Sequence, residues 1–495
     1  MAHVITMHQL NKNTAAFHPV RTRFAPSPTG RMHLGNLRTA LFNALLSMKV
    51  HGKFILRIED TDAARSETVY QQLLMEDLQR LHIGWHEGPD IAGPYAPYTQ
   101  AERTEIYQQY YQKLQARQYV YPCFCSAEAL ELTRKQQRAA GQPPRYPGTC
   151  RHLSPEEVQE KTAQGMQHTL RFRTDHHAET YLIFDDLVKG RQQYSIHDMG
   201  DFIIRKTDGS PTFMFANAID DAMMQISHVL RGEDHLTNTP RQILLLQALQ
   251  LPQPAYGHIS IILGQDGAPL SKRNGSCSVH ALRESGYLPL AILNYMARLG
   301  CVLSSHALLP MADLAEHFSM KGLVRSPARF DRQQLDYWQK QAVQQTDATA
   351  LLEWVKPVLT QNKHPLSDTR IAKLLTLVKD NIFLPRDILF WCGQLEDSAP
   401  MDYQPEACAV LAKTNADFFR TCSQTVQDHG TDWTAFQQTI TTTTGVKGKS
   451  LFQPVRAALT GTLQGPIMAD LFAFLGQKRL MERFEQAYTK VLAMA

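Results

Sequence analysis

The amino-acid sequence predicts an α/β half built on a parallel sheet, broken by an insertion and followed by a mostly helical half. Three observations predict it. Strand-like and helix-like segments alternate with short joins between Val20 and Leu81. That alternation lapses over residues 120–200 and then resumes. Beyond Asp266 the strand signals fade. A chain of 495 residues is also too long for a single core, so several domains are expected.

The first strand is Val20 to Phe24, and it runs into the turn-rich loop Ala25-Pro26-Ser27-Pro28-Thr29-Gly30. Leu37, Leu41, Leu45 and Met48 then recur at helical spacing, with Gly52 as a stop. A short apolar strand, Phe54 to Ile58, ends in Glu59-Asp60. Thr61-Asp62 and Ser66 offer caps for a helix carrying Val69, Leu73, Leu78 and Leu81. Strand, helix, strand, helix with short joins suggests parallel strands with right-handed crossovers. The insertion holds a cysteine cluster, a Gln/Arg-rich stretch and Gly141 to Pro144. After it, strands are expected at Phe202–Arg205, Phe213–Ala216, Val229–Arg231 and His258–Leu263, with a helix at Thr239–Leu249. Leu288–Leu299 and Ile371–Val378 read as helices, and the threonine run Thr439 to Thr444 reads as a polar join.

Composition is that of an ordinary globular protein, 43% apolar and 20% charged. The net charge of +4 permits an RNA ligand without demanding one. No window approaches the roughly 18 consecutive apolar residues of a membrane helix. The polar start of the chain lacks a secretory signal's apolar core. A cytoplasmic protein with no membrane contact is expected, and its eight cysteines should be reduced rather than paired.

Two segments carry phosphate chemistry. Arg23-Phe24-Ala25-Pro26-Ser27-Pro28-Thr29-Gly30-Arg31-Met32-His33-Leu34-Gly35-Asn36 lies where a strand ends and a helix begins, the place where open α/β sheets bind ligands. A helix start offers backbone N–H groups to an anion, Gly35 permits close approach, and His33 can donate to phosphate oxygens. The plainer alternative is a turn with a capping histidine. The second segment is Gly264-Gln265-Asp266-Gly267-Ala268-Pro269-Leu270-Ser271-Lys272-Arg273-Asn274, a turn followed by cations that can close over a triphosphate. By itself it reads equally as a solvated basic turn.

Together the two segments resemble the signatures of class I aminoacyl-tRNA synthetases, and more narrowly of the glutamyl branch. The resemblance extends through Arg57 to Asp62, Gly84 to Pro89, Asp220 to Met224, Arg231 to His235, Asn238 to Gln242, Gly286 to Pro289, Phe330-Asp331 and Gly445 to Phe452. It covers about residue 20 to the C-terminus. It implies a Rossmann-type catalytic region over 20–335. Within it would lie a zinc-bearing, acceptor-binding insertion at 120–200 and a helical stem-contact part at 265–335. A helical anticodon-binding domain over 336–495 would follow, and residues 1–19 would be a flexible extension.

The implied reaction is attack of the glutamate α-carboxylate on the α-phosphate of ATP, then transfer of the glutamyl group to the 3′ end of tRNA-Glu. ATP would meet His33, Gly35, Asn36, Ser271, Lys272 and Arg273, with His33 and Lys272 as the catalytic pair and Mg²⁺ accompanying the nucleotide. L-glutamate would meet Arg23, Ser27, Glu59, Phe213, Asn217 and Arg231. Of these, Arg23 and Glu59 would address opposite charges, and Arg23 is the expected discriminator against glutamine. For either arginine the alternative is a pairing with a neighbouring Asp or Glu. The chain departs from the family at three places: Pro269 stands where a lysine is usual, Phe213 where a tyrosine is common, and apolar Met214 in a polar neighbourhood.

Cys123, Cys125 and Cys150 with His152 have the ligand types of a closed Zn²⁺ site, although Cys-x-Cys is a less usual spacing than Cys-x-x-Cys. Three incidental thiols are the alternative from spacing alone. The resemblance implies one structural zinc here, with Tyr146 as the other choice of fourth ligand. Also open are an enzyme that glutamylates tRNA-Gln as a non-discriminating or second copy, and a non-catalytic RNA-binding paralogue. A monomer is expected.

Overall fold

The computed structural model describes residues 19–61, 68–177, 179–270, 278–365, 367–396 and 401–494. The expected caps Asp62 and Ser66 and nearly all of the N-terminal extension lie outside them, as do Ser271, Lys272 and Arg273. The chain forms two compact units, Met1–Arg283 with Ile292–Gln334, and Glu284–Ala291 with Leu335–Ala495. No helix among the described residues is long and apolar enough to cross a membrane.

The strands are β1 (Arg21–Phe24), β2 (Lys53–Leu56), β3 (Val120–Cys123), β4 (Thr169–Phe172), β5 (Tyr181–Asp186), β6 (Gly190–Ser195), β7 (Phe202–Arg205), β8 (His228–Gly232), β9 (Ala255–Ile259), β10 (Ile262–Leu263) and β11 (Ala328–Arg329). The first unit is organised by a four-stranded sheet in the order β2-β1-β8-β9, parallel throughout. All four residues of β1 are buried, as a central parallel strand covered on both faces requires. The chain leaves β1 toward β2 on one side and later fills the other side with β8. The ends of β1 and β8 therefore flank a topological switch point, where such sheets bind ligands. The crossover helix Leu34–Lys49 buries Leu37, Leu41 and Leu45 at the expected spacing. It stops at Lys49, short of Gly52, whose role is close approach: a Cβ there would lie 2.2 Å from the Val20 carbonyl oxygen.

The insertion carries a three-stranded antiparallel sheet, β3-β4-β7, and the hairpin β5-β6. Two expectations change here. Phe202–Arg205 is a strand, but it pairs antiparallel with β4 rather than joining the parallel sheet. Phe213–Ala216 is not a strand; it opens the helix Phe213–Met223. A four-residue apolar run fits either period, and the helix is buried on all sides from Phe215 to Ala222, so no one-sided pattern marks it. The expected strand His258–Leu263 is split between β9 and β10. Beyond Asp266 one short strand remains, β11, paired with β10.

The second unit is helical in its described residues. Leu351, Val355 and Leu359, Leu374 and Val378, and Phe436 and Ile440 meet in one core at four-residue spacings. The threonine run is part of the helix Trp433–Thr444 instead of a join. Its hydroxyls bond back to carbonyls four residues earlier, Thr442 to Gln438 at 2.9 Å and Thr444 to Ile440 at 2.7 Å. Gly445, at φ 72°, ends it.

Candidate active site

A cleft of about 580 Å³ opens at the switch point. It is lined by Arg23, Ser27, His33, Gly35, Asn36, Glu59, Phe213, Asn217 and Arg231, so nine residues singled out from the sequence converge on one space. Pro269 and Leu270 also line it, immediately before Ser271, Lys272 and Arg273.

His33 is the N-cap of the helix Leu34–Lys49, and its Nδ1 accepts the Asn36 backbone N–H at 3.3 Å. The capping role and a place in the cleft are thus combined in one side chain. With Nδ1 accepting, the neutral ring carries its proton on Nε2. Gly35 packs under this ring: a Cβ would come within 3.0 Å of it.

The floor of the cleft is a buried charge network. Arg57 donates to Glu59 at 2.9 Å and pairs with Asp221 at 2.8 Å. Arg23 pairs with the same Asp221 at 3.1 Å. Asp220 takes Arg103 at 2.7 Å and the Tyr107 hydroxyl at 2.8 Å. Three guanidinium groups (Arg23, Arg57, Arg103) therefore face three carboxylates (Glu59, Asp220, Asp221). Burial alone would raise Asp221, but Arg23 and Arg57 outweigh it and hold its carboxyl below the ordinary value. Glu59 is raised by burial against the pull of Arg57.

Arg231 stands outside this balance. Every hydrogen bond it donates goes to a neutral group: Nε to His258 Nε2 at 3.1 Å, and NH2 to Thr239 at 2.7 Å and Gln242 at 2.6 Å. NH1 reaches Asn217 Oδ1 at 3.4 Å. Among the described residues no carboxylate pairs with it. Burial lowers its guanidinium to about 10, which still leaves it charged at neutral pH. The pairing with an acidic neighbour that the sequence left open for both arginines is thus found at Arg23 and not at Arg231.

Asn217 Nδ2 donates to Glu59 at 2.6 Å, tying the carboxylate to the helix Phe213–Met223. Phe213 stacks on His235 with ring centroids 4.9 Å apart, which holds its ring in the cleft. Burial and the nearby Arg231 bring His235 down to about 4. His235, Asp221 and His258 were not assigned roles from the sequence. The first two lie within matched segments, whereas nothing local marks His258.

At the end of β3 the sulfur atoms of Cys123, Cys125 and Cys150 lie within 4.8 Å of one another. The fourth group present is the Tyr146 hydroxyl, 3.4 Å from Cys123 Sγ and 3.5 Å from Cys125 Sγ. His152 is not part of this group. Of the two candidates for a fourth ligand, Tyr146 is the one the chain turning into Cys150 places over the sulfurs, its oxygen accepting the Cys150 N–H at 2.9 Å. Burial raises Cys123, but hydrogen bonding with Tyr146 and Arg171 brings it down to about 7. Cys125 is pushed up to about 11 by burial, despite a hydrogen bond with Tyr146, with its sulfur neighbours adding to the rise. Three soft thiol donors and one oxygen in this space fit a tetrahedral zinc site.

Residues 19–337 match the family described as tRNA synthetases class I (E and Q), catalytic domain, and residues 348–488 match an anticodon binding domain. The chain belongs to the class I tRNA synthetases of the E and Q branch. It is 50% identical over 466 residues to glutamate–tRNA ligase 2 of Nitrosococcus oceani, covering 94% of this chain and 98% of that one. It is 47% identical over 468 residues to glutamate–tRNA ligase 2 of a Coxiella burnetii strain, covering 94% and 99%. The crystal structure of a glutamate tRNA ligase from Elizabethkingia meningosepticum in complex with its amino acid aligns with TM-score 0.83 and 30% identity, over 95% of this chain and 99% of that one. The likeness to these synthetases spans both units, as the sequence resemblance implied.

Proposed function

We propose that this chain is a glutamate–tRNA ligase: it activates L-glutamate with ATP and transfers the glutamyl group to the 3′ end of tRNA-Glu. The observation that carries the choice of amino acid is the buried Arg231 guanidinium, which no carboxylate among the described residues answers. A zwitterionic backbone adds no net charge, so Arg231, buried with only neutral partners, favours a side chain bearing one negative charge, while Arg38 is engaged by the Leu299 and Ser260 carbonyls. Glutamine has nearly the same shape but would present amide donors to the donors of Arg231. In this reading Arg231 takes the side-chain carboxylate, Glu59 takes the ammonium, and Arg23 and Ser27 hold the remaining polar groups. Asn217 keeps Glu59 in place, and Phe213 with His235 forms the apolar wall.

ATP would lie toward His33, Gly35 and Asn36. His33 Nε2–H would donate to phosphate oxygens as charge develops, and Lys272 with Ser271 and Arg273 would meet the triphosphate. Mg²⁺ with ATP supplies further neutralisation of the phosphates. No protein nucleophile is required, because the substrate carboxylate attacks the α-phosphate and diphosphate leaves; the chain positions the two reactants. Zn²⁺ at Cys123, Cys125, Cys150 and Tyr146 would pin β3 to the segment that carries Cys150. We take the domain limits proposed from the sequence, 20–335 and 336–495, and a monomer as the working form. Charging of purified tRNA-Glu and tRNA-Gln with glutamate and with glutamine tests the proposal. Glutamyl-tRNA-Glu formation is expected; glutamyl-tRNA-Gln alone would reassign the tRNA, and no charging with either would refute the enzyme.

A further inference from the structure

Arg231 is held by a side chain whose chemistry is unusual for the task. A buried guanidinium is ordinarily fixed by a carboxylate, which cancels its charge. Here the group behind it is His258, fully buried in β9. Arginine N–H groups only donate, so the Nε2 that faces Arg231 Nε at 3.1 Å must be unprotonated. The imidazole proton therefore sits on Nδ1, which donates to Asp186 Oδ2 at 2.5 Å. Thr239 Oγ lies 3.0 Å from the same Nε2. The ring is neutral, and burial lowers its basicity further.

Asp186 closes the strand β5 and belongs to the insertion, not to the parallel sheet. Its Oδ1 is fully occupied by three backbone N–H groups, Val188 at 2.9 Å, Lys189 at 2.7 Å and His258 at 3.2 Å. That leaves Oδ2 aimed at the imidazole. The hairpin is anchored to β9 by the Leu187 N–H to Tyr256 carbonyl bond at 2.8 Å, so the carboxylate is fixed relative to the ring.

We propose that Asp186 and His258 are positioning residues for amino-acid selection: the carboxylate fixes the histidine tautomer, and the neutral ring holds Arg231 without cancelling its charge. The proposal rests on reading the cleft as the glutamate site. A carboxylate in place of His258 would hold Arg231 equally well but would cancel the charge that Arg231 offers to a substrate carboxylate.

The discriminating variant is Asp186→Asn. Its amide oxygen can keep the three backbone N–H groups, while its NH₂ replaces Oδ2 and donates to Nδ1. The proton then moves to Nε2, where it opposes the Nε–H of Arg231, the same tautomer reversal that disables an asparagine-substituted catalytic triad. The experiment is steady-state charging of tRNA-Glu by wild type, Asp186→Asn, His258→Leu and His258→Gln. Glutamate and ATP are varied separately, glutamine is tested alongside, and thermal unfolding is recorded. Asp186→Asn is expected to raise the glutamate KM about tenfold to a hundredfold, with ATP KM within about twofold and Tm within a few degrees. His258→Gln should recover part of what His258→Leu loses, since its amide oxygen can accept from Arg231. An unchanged glutamate KM in Asp186→Asn would overturn the proposal. So would glutamate and ATP KM rising together with a fall in Tm. A wild type that charges no glutamate overturns the glutamate reading and this inference with it, and is recognised because the fault then precedes any substitution.

Discussion

The cleft at the switch point and the thiol cluster place opposite kinds of charge in one unit. In the cleft the charges are permanent. Arg23, Arg57 and Arg103 are matched by Glu59, Asp220 and Asp221, whereas among the described residues Arg231 pairs with no carboxylate and Arg38 donates to the Leu299 and Ser260 carbonyls. In the thiol cluster the charge is conditional: Cys123 is drawn down to about 7 while Cys125 is pushed up to about 11. A fixed guanidinium chooses its ligand by sign at any physiological pH. A set of thiols binds a cation only as protons leave, so its occupancy follows pH. The two sites therefore respond differently to mutation and to acid.

The largest effect is expected at Arg231. Arg231→Gln should lower kcat/KM for glutamate by about a thousandfold or more and shrink the preference over glutamine, because a buried polar site then meets the wrong partner. Arg23→Gln should also lower activity but change the glutamate-to-glutamine ratio less, since Asp221 already answers its charge. Parallel charging kinetics with both amino acids decide this, and a larger ratio change for Arg23→Gln would reverse the assignment. Next in size is Lys272→Ala. It should slow adenylate formation, read by ATP–diphosphate exchange, by about a hundredfold to a thousandfold while tRNA binding holds. Unchanged exchange would remove Lys272 from the chemistry.

What the sequence disclosed follows from how local each feature is. The loop Ala25 to Gly30 and the helix start at His33 were legible because strand, turn and helix follow one another directly. The helix Thr239–Leu249 was read to its ends because proline at the start and an unbroken apolar period define it. Phe213–Ala216 was misread because four apolar residues fit both periods. The threonine run was misread because hydroxyl bonding to the preceding turn leaves no compositional trace. Within the cleft, Arg23 and Glu59 were visible through the resemblance, but their balance was not. Arg23 and Asp221 lie 198 positions apart, and Asp186 and His258 lie 72 apart. Pairings over such separations are made by strand order, which a linear pattern does not encode.

The thiol cluster gives the middle-sized effect. Purified protein should carry about one zinc per chain, and Cys125→Ser should lose it. Tyr146→Phe should weaken metal retention about tenfold to a hundredfold, while His152→Ala should leave it nearly unchanged. Chelator competition followed by elemental analysis measures both. Retention that depends on His152 and not on Tyr146 would restore the ligand first expected. Zinc affinity should fall with acid as the thiols regain protons, whereas the glutamate preference should not follow the same curve.

The smallest effect separates charges that select a ligand from charges that only hold the fold. Arg21 pairs with Glu87 at 2.7 Å, and Glu87 also accepts the Tyr98 hydroxyl at 2.6 Å. Neither residue of the ion pair lines the cleft. Burial would raise the Glu87 carboxyl, but the hydrogen bonds from Arg21 and Tyr98 outweigh it and hold it below its ordinary value of 4.5. A carboxyl lowered by folding stabilises the fold fully above its unfolded value, and that contribution fades as pH falls through the folded value. Glu87→Gln should therefore cost about 1–3 kcal/mol near pH 7, a fall of about 1–4 °C in Tm, and leave the glutamate KM unchanged. The gap between variant and wild type should narrow as pH falls below 4.5, where the unfolded chain takes up its Glu87 proton first, and close as pH passes through the lower folded value. Thermal unfolding of both proteins across that range is the measurement. A gap that stays constant would mean the carboxylate charge contributes nothing beyond its shape, and a changed glutamate KM would place this pair among the groups that shape the cleft.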